Sequence, residues 1–161
     1  MNIVEAREEY TRALKSGQRE MRDLLNEGVF PHPAVLDDIL PAADIDSIIN
    51  VGTVDVPMGR IVGTKTSGRV TAFTKTFLPL LGIESEFAYK WMSLCAAHLS
   101  DEGIREPIVC YEYMGNFYVQ EGNKRVSVLR HFEAPAIPGN VFRVMPQPSD
   151  DPAVKVSYEF L

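Results

Sequence analysis

The spacing of apolar residues changes along this 161-residue chain, and the change separates a helical beginning from a strand-rich body. From Ile3 to Glu27, apolar positions (Ile3, Ala6, Tyr10, Ala13, Leu14, Met21, Leu24, Leu25) recur every three or four residues among alternating charges, which predicts an amphipathic helix. Ser16-Gly17 is where it is expected to divide in two, and Gly28 is a C-terminal stop. Phe30-Pro31-His32-Pro33 reads as a rigid turn, followed by a short helix from Ala34 to Leu40 that Pro41 ends. Residues 1–46 thus read as a helical N-terminal arm, expected to dock on the body that follows; its amphipathic pattern also makes it a candidate for homodimer contact.

Beyond Ile48 the period shortens. Ile48 to Val51 and Thr53 to Val56 are strand-like runs, punctuated by Pro57 and Gly59. Residues 63–76 are rich in Thr, Gly and cations and read as a loop, either solvated or lying over a ligand. Glu84 to Glu102 is an amphipathic helix with Phe87, Trp91, Leu94, Cys95 and His98 on one stripe, expected in the core, and Gly103 as its cap. Pro107 to Tyr113 and Phe117 to Gln120 predict a hairpin around Met114-Gly115-Asn116. A helix from Lys124 to Phe132 follows, then a strand from Ala136 to Met145 that Pro138-Gly139 is expected to break. Residues 47–146 form one mixed α/β domain on this reading. Residues 147–161 read as a linker and a resumed apolar segment, either docked or, as the reading favours, the start of more chain.

A net charge of -6 and a pI near 5.1 argue against a free-standing nucleic-acid binder, which carries a basic excess. No apolar run approaches the length of a membrane span and the start is acidic and helical, so a cytoplasmic location is expected. Cys95 and Cys110 lack metal or redox spacing and fall in apolar stretches, which places them in the core. His32, His98 and His131 are scattered, and no metal site is expected.

The candidate chemistry lies in Tyr118 to Arg130, a strand, a glycine turn and the first turns of a helix. Gly122 allows the chain to fold back closely, and the first N–H groups of a helix carry partial positive charge. Lys124 and Arg125 add two cations to that end, a seat for a phosphate or another anion. Lys65 or Arg69 from the cationic loop are further candidates to reach such a phosphate. Of the acids, Glu121 beside the turn is a weak catalytic candidate and Glu112 a weaker one.

Leu94 to Val109, with Gly103 and Pro107, followed by Phe117 to Arg125 and Ala134 to Pro138, gives an order of elements that resembles the ParB-N/sulfiredoxin superfamily over residues 53–146. The resemblance implies a small mixed sheet with flanking helices and a turn that binds nucleotide phosphates. Gly122 would be the turn glycine, the backbone around Asn123 and Lys124 would hold phosphate, and Arg125 would neutralise it. A nucleoside triphosphate with Mg²⁺ is the implied ligand, in a sensor or regulatory module of a larger bacterial protein. Some relatives are phosphoryl-transfer enzymes or are described as nucleases, and ParB proteins are DNA-associated regulators. Asn123 stands where sulfiredoxin has its catalytic cysteine, which removes the nucleophile that activity needs. No helix-turn-helix fits after Met145, which disfavours the DNA-associated role. Glu121 occupies the place of the acid found in the kinase-type relatives.

Overall fold

Helix α1 (Ile3–Asn26) runs unbroken through Ser16-Gly17 in the computed structural model, which describes residues 3–100, 103–148, 152 and 155. The glycine serves close packing instead of a break. It is buried where α1 crosses residues 78–79, and a Cβ there would overlap the carbonyl oxygen of Pro79 and stand 3.4 Å from Leu78 Cβ. The remaining buried stripe of α1, Ala6, Tyr10 and Ala13, joins the main core. Tyr10 donates a 2.6 Å hydrogen bond to the carbonyl of Leu81, and its ring meets Trp91 edge-on at 5.2 Å. The middle of the arm's apolar stripe is therefore occupied within the chain, while Ile3 and Leu25 at its ends stay exposed. Gly17→Ala sets helix propensity, worth about 1 kcal/mol in favour of alanine, against overpacking of about 1–3 kcal/mol. The clash with backbone is expected to win, leaving the variant up to about 2 kcal/mol less stable in urea unfolding despite its better helix former.

Gly28 ends α1 as expected, with φ 73° and Val29 N–H reaching back to the Leu24 carbonyl at 2.9 Å. The helix expected from Ala34 starts two residues later. Ala34–Val35 is a short strand, β1, and α2 is Leu36–Ile39. The two strand runs after it are one 13-residue strand, β2 (Ile45–Pro57), in which Gly52 (φ 96°) forms a bulge closed by its N–H on Asn50 Oδ1 at 2.9 Å. Strand β3 (Ile61–Thr64) opens what the composition presented as loop, and Val70, Ala72 and Phe73 further along it are buried.

Helix α3 (Glu86–His98) begins at Ser85, whose Oγ accepts from Ala88 N–H at 3.0 Å. Strands β4 (Ile108–Tyr113) and β5 (Asn116–Glu121) form the expected hairpin, with positive φ at both Met114 and Gly115. Helix α4 (Asn123–His131) and strand β6 (Ala136–Pro146) complete the body. Pro138-Gly139 does not break β6. A Cβ on Gly139 would stand 2.9 Å from Val56 Cγ2 and 3.2 Å from Ile108 Cγ1, so the glycine admits neighbouring side chains at close range. Of residues 149–161, all but 152 and 155 lie outside the described residues, so the expected terminal segment receives no structural account.

The sheet has six strands in the order β1-β3-β5-β4-β6-β2 and is mixed: β4–β5 and β2–β6 are antiparallel, the other neighbours parallel. Alternation along β5 divides the interior. Phe117 and Val119 join the larger core under α1, α3 and α4, while Tyr118 joins Leu36, Leu40 and Val144 on the opposite face. The fold is thus mixed α/β, a six-stranded sheet with flanking helices and an N-terminal helix. Among the described residues no helix is long and apolar enough to cross a membrane.

Cys95 and Cys110 are buried free thiols in the main core, as their surroundings in the sequence predict. Burial pushes Cys95 from 9.0 up to about 11, Cys110 from 9.0 up to about 12, and the Tyr10 hydroxyl from 10.0 up to about 12. Each is held neutral in the folded state, so its contribution is complete below its unfolded value and lost as pH rises toward the folded one. Folding free energy is therefore expected to fall steadily from about pH 9 upward, measured by urea titrations at successive pH. A Cys95→Ala/Cys110→Ala chain should show a shallower alkaline slope.

Candidate functional site

The end of β5 and the start of α4 are joined by one residue, Gly122, at φ 107° and ψ 24°. A Cβ there would stand 2.5 Å from Ile108 Cγ2 and 3.1 Å from Ile108 Cβ, so both the backbone angle and the space select glycine. The carbonyl of Gly122 accepts from Val126 N–H at 3.0 Å and so starts the helix. Ser85 caps α3 with its side chain, whereas the N-cap of α4 is Gly122, and among the described residues no side chain caps that end. Its first N–H groups are thus left to another acceptor.

This terminus borders an open cleft of about 520 Å³. The turn supplies Gln120, Glu121, Gly122, Asn123, Lys124 and Arg125. The facing wall comes from α3, with Lys90, Ser93 and Leu94, and from the segment after β3, with Arg69 and Phe73. Four cationic side chains therefore border one cleft in a protein of net charge -6. Lys124 has its Nζ 5.5 Å from the centre of the Phe87 ring. Burial holds its amine below the ordinary lysine value, and the charges of Arg69 and Lys90 press it lower, partly offset by Glu86. Lys90 is itself paired with Glu86 at 3.1 Å.

Arg125 occupies a different position from its neighbour. It is only 9% exposed, and its Nη1 donates to the backbone carbonyls of Glu106 and Pro107 at 2.7 and 3.0 Å. It clamps the residues that lead into β4 against the turn. Its Nη2 lies 3.2 Å from where a Cβ on Gly122 would be. Asn123 Oδ1 is buried without a hydrogen-bond partner. A half-turn of the amide would put Nδ2, a donor, at the same place.

Of the two loop cations, the cleft includes Arg69 and not Lys65. Lys65 is paired with Asp37 and sits 5.4 Å from the centre of the Tyr111 ring, beside the smaller core on the opposite face of the sheet. Glu112 is also engaged elsewhere, in an ion pair with Arg143 Nε at 2.8 Å. Glu121 is exposed at the cleft and is the one carboxylate among its described lining residues. Lys90 and Ser93 were not legible as site residues. On α3 they flank the core stripe and read as solvated positions, and only the fold brings α4 and Arg69 beside them.

These residues do not fit a protein-held Mg²⁺ ion. Such a site is built on one or two carboxylates together with the ligand's own phosphates. Glu121 shares its cleft with four cations, and among the described residues no group of three or more His, Cys, Asp or Glu could hold a metal. The arrangement suits an anion: an uncapped helix N-terminus, a buried amide and converging side-chain cations. No protein-family model matches this chain, and no curated protein matches it.

Proposed function

We propose that this chain binds a phosphorylated small molecule, a nucleoside triphosphate foremost, at the turn from Gly122 to Arg125, and serves as a sensor or regulatory module of a larger protein. The observation that carries this reading is the meeting of Arg69, Lys90 and Lys124 at the uncapped start of α4, in a protein otherwise rich in acid. The strand, glycine turn and helix that carry the likeness to the ParB/sulfiredoxin superfamily support it. Leu94, with the buried Phe73 behind it, gives the cleft an apolar side on which an uncharged part of the ligand can rest.

The test is a thermal-shift series with CTP, ATP, GTP and ADP, run beside Lys124→Ala. A ligand selective for the folded state raises the midpoint by mass action. Lys124 is desolvated and crowded by like charge, so removing it costs the fold little. The variant is expected to bind about tenfold more weakly, equivalent to about 1.4 kcal/mol. No shift with any nucleotide would end this reading.

A second reading, a phosphoryl-transfer or nuclease-type enzyme, draws on the position of Glu121 in the same cleft. It requires turnover that Glu121→Gln abolishes. Homodimerisation through the arm would have to use its outward residues, such as Val4 and Leu25, since the inner stripe is already packed. The DNA-associated role has least support, given the overall negative charge.

A further inference from the structure

The charges that line the cleft say what form its ligand takes. Lys124 projects from the first turn of α4, Lys90 from α3 and Arg69 from the segment after β3, and the latter two lie near enough to depress the amine of the first. Three cations held together in this way repel one another, and the repulsion is relieved by a multiply charged anion. A divalent cation on that anion works against them. Mg²⁺ lowers the ligand's net negative charge by two and so weakens the attraction that offsets the repulsion among these side chains. Among the described residues only Glu121 lines the cleft on the acidic side, while Glu86 is engaged by Lys90.

We infer that the cleft takes its ligand as a free polyanion, a di- or triphosphate without bound metal, with Arg69, Lys90 and Lys124 in the place a Mg²⁺ ion fills in metal-dependent nucleotide sites. This rests on the phosphate-binding reading and goes beyond it, because the same cleft with metal-chelated nucleotide as ligand would satisfy that reading. Lys90 gains a defined part: its pair with Glu86 opens, and the ammonium turns from carboxylate to phosphate. Ser93, one turn along α3 on the same wall, donates its hydroxyl to the Tyr89 carbonyl at 3.1 Å and would have to turn from it to reach the ligand.

Isothermal titration of the full chain with ATP and with inorganic tripolyphosphate, each in excess EDTA and in excess Mg²⁺, tests this directly. The expected result is affinity in EDTA equal to or greater than in Mg²⁺, falling steeply with added salt. Lys90→Ala should lose at least fivefold in EDTA and less in Mg²⁺, with an unchanged thermal midpoint in the absence of ligand. Affinity that rises more than threefold on adding Mg²⁺ would overturn the inference while leaving phosphate binding intact. No binding of either probe in either condition would overturn phosphate binding itself, and this inference with it.

Discussion

Gly122→Ala is expected to lose about 2–5 kcal/mol of folding stability, a large share of the 5–15 kcal/mol typical of a whole domain. Two costs add. A side chain in left-handed backbone costs about 1–2 kcal/mol, and overpacking a tight site costs about 1–3 kcal/mol. Here φ is 107° and the new methyl would press on Ile108 Cγ2 at 2.5 Å. Ile108 is fully buried at the start of β4, so it has little room to yield. The measurement is urea unfolding followed by the fluorescence of Trp91, the only tryptophan, which is buried between Tyr10 and His131. The two costs separate in an Ile108→Ala background, where the contact is gone and only the backbone cost of about 1–2 kcal/mol should remain. A Gly122→Ala chain as stable as the parent would mean the turn adopts another shape, and the anion seat built on it would fall.

The same turn shows how far the sequence alone reaches. Strand, glycine and helix at residues 116–131 were legible because each signal is local: alternation in β5, one glycine, helical spacing in α4. The hairpin and the core stripe of α3 were legible for the same reason. What escaped depends on partners distant in sequence. Gly17 and Pro138-Gly139 read as breaks, yet both glycines answer to close neighbours, Pro79 in one case, Val56 and Ile108 in the other. Val35 belongs to a strand only because β3, twenty-six residues later, lies beside it. Lys65 and Arg69 looked equivalent in one cationic loop. Lys65 follows directly on β3 and turns to Asp37, while Arg69 leads into the 3₁₀ turn Val70–Ala72 and reaches the cleft. The facing wall, Lys90 and Ser93, had no signal at all beyond polar positions on a helix.

Arg125 is where a plain sequence reading and the structure assign different weight to one side chain, and replacing it should show this. A cation two residues past the turn glycine reads as a ligand group. In the fold it is an anchor first, with Nη1 bonded to the carbonyls of Glu106 and Pro107 just ahead of Ile108. A hydrogen bond from a charged group contributes about 1.5–3 kcal/mol, and a carbonyl left without its partner adds a desolvation cost. Arg125→Ala is therefore expected to lose about 3 kcal/mol in urea unfolding, far more than Lys124→Ala, expected within about 0.5 kcal/mol of the parent. Arg125→Lys should recover less than half, because one ammonium on a flexible stem does not reproduce the planar fork. Both Arg125 variants should also weaken nucleotide binding, since residues 106–108 hold the turn in shape from behind. Binding lost in Arg125→Ala therefore reports on the ligand only beside Lys124→Ala, which removes charge from the cleft and leaves the clamp in place. If Arg125→Ala keeps full stability and loses only affinity, the guanidinium belongs to the ligand and the clamp is incidental.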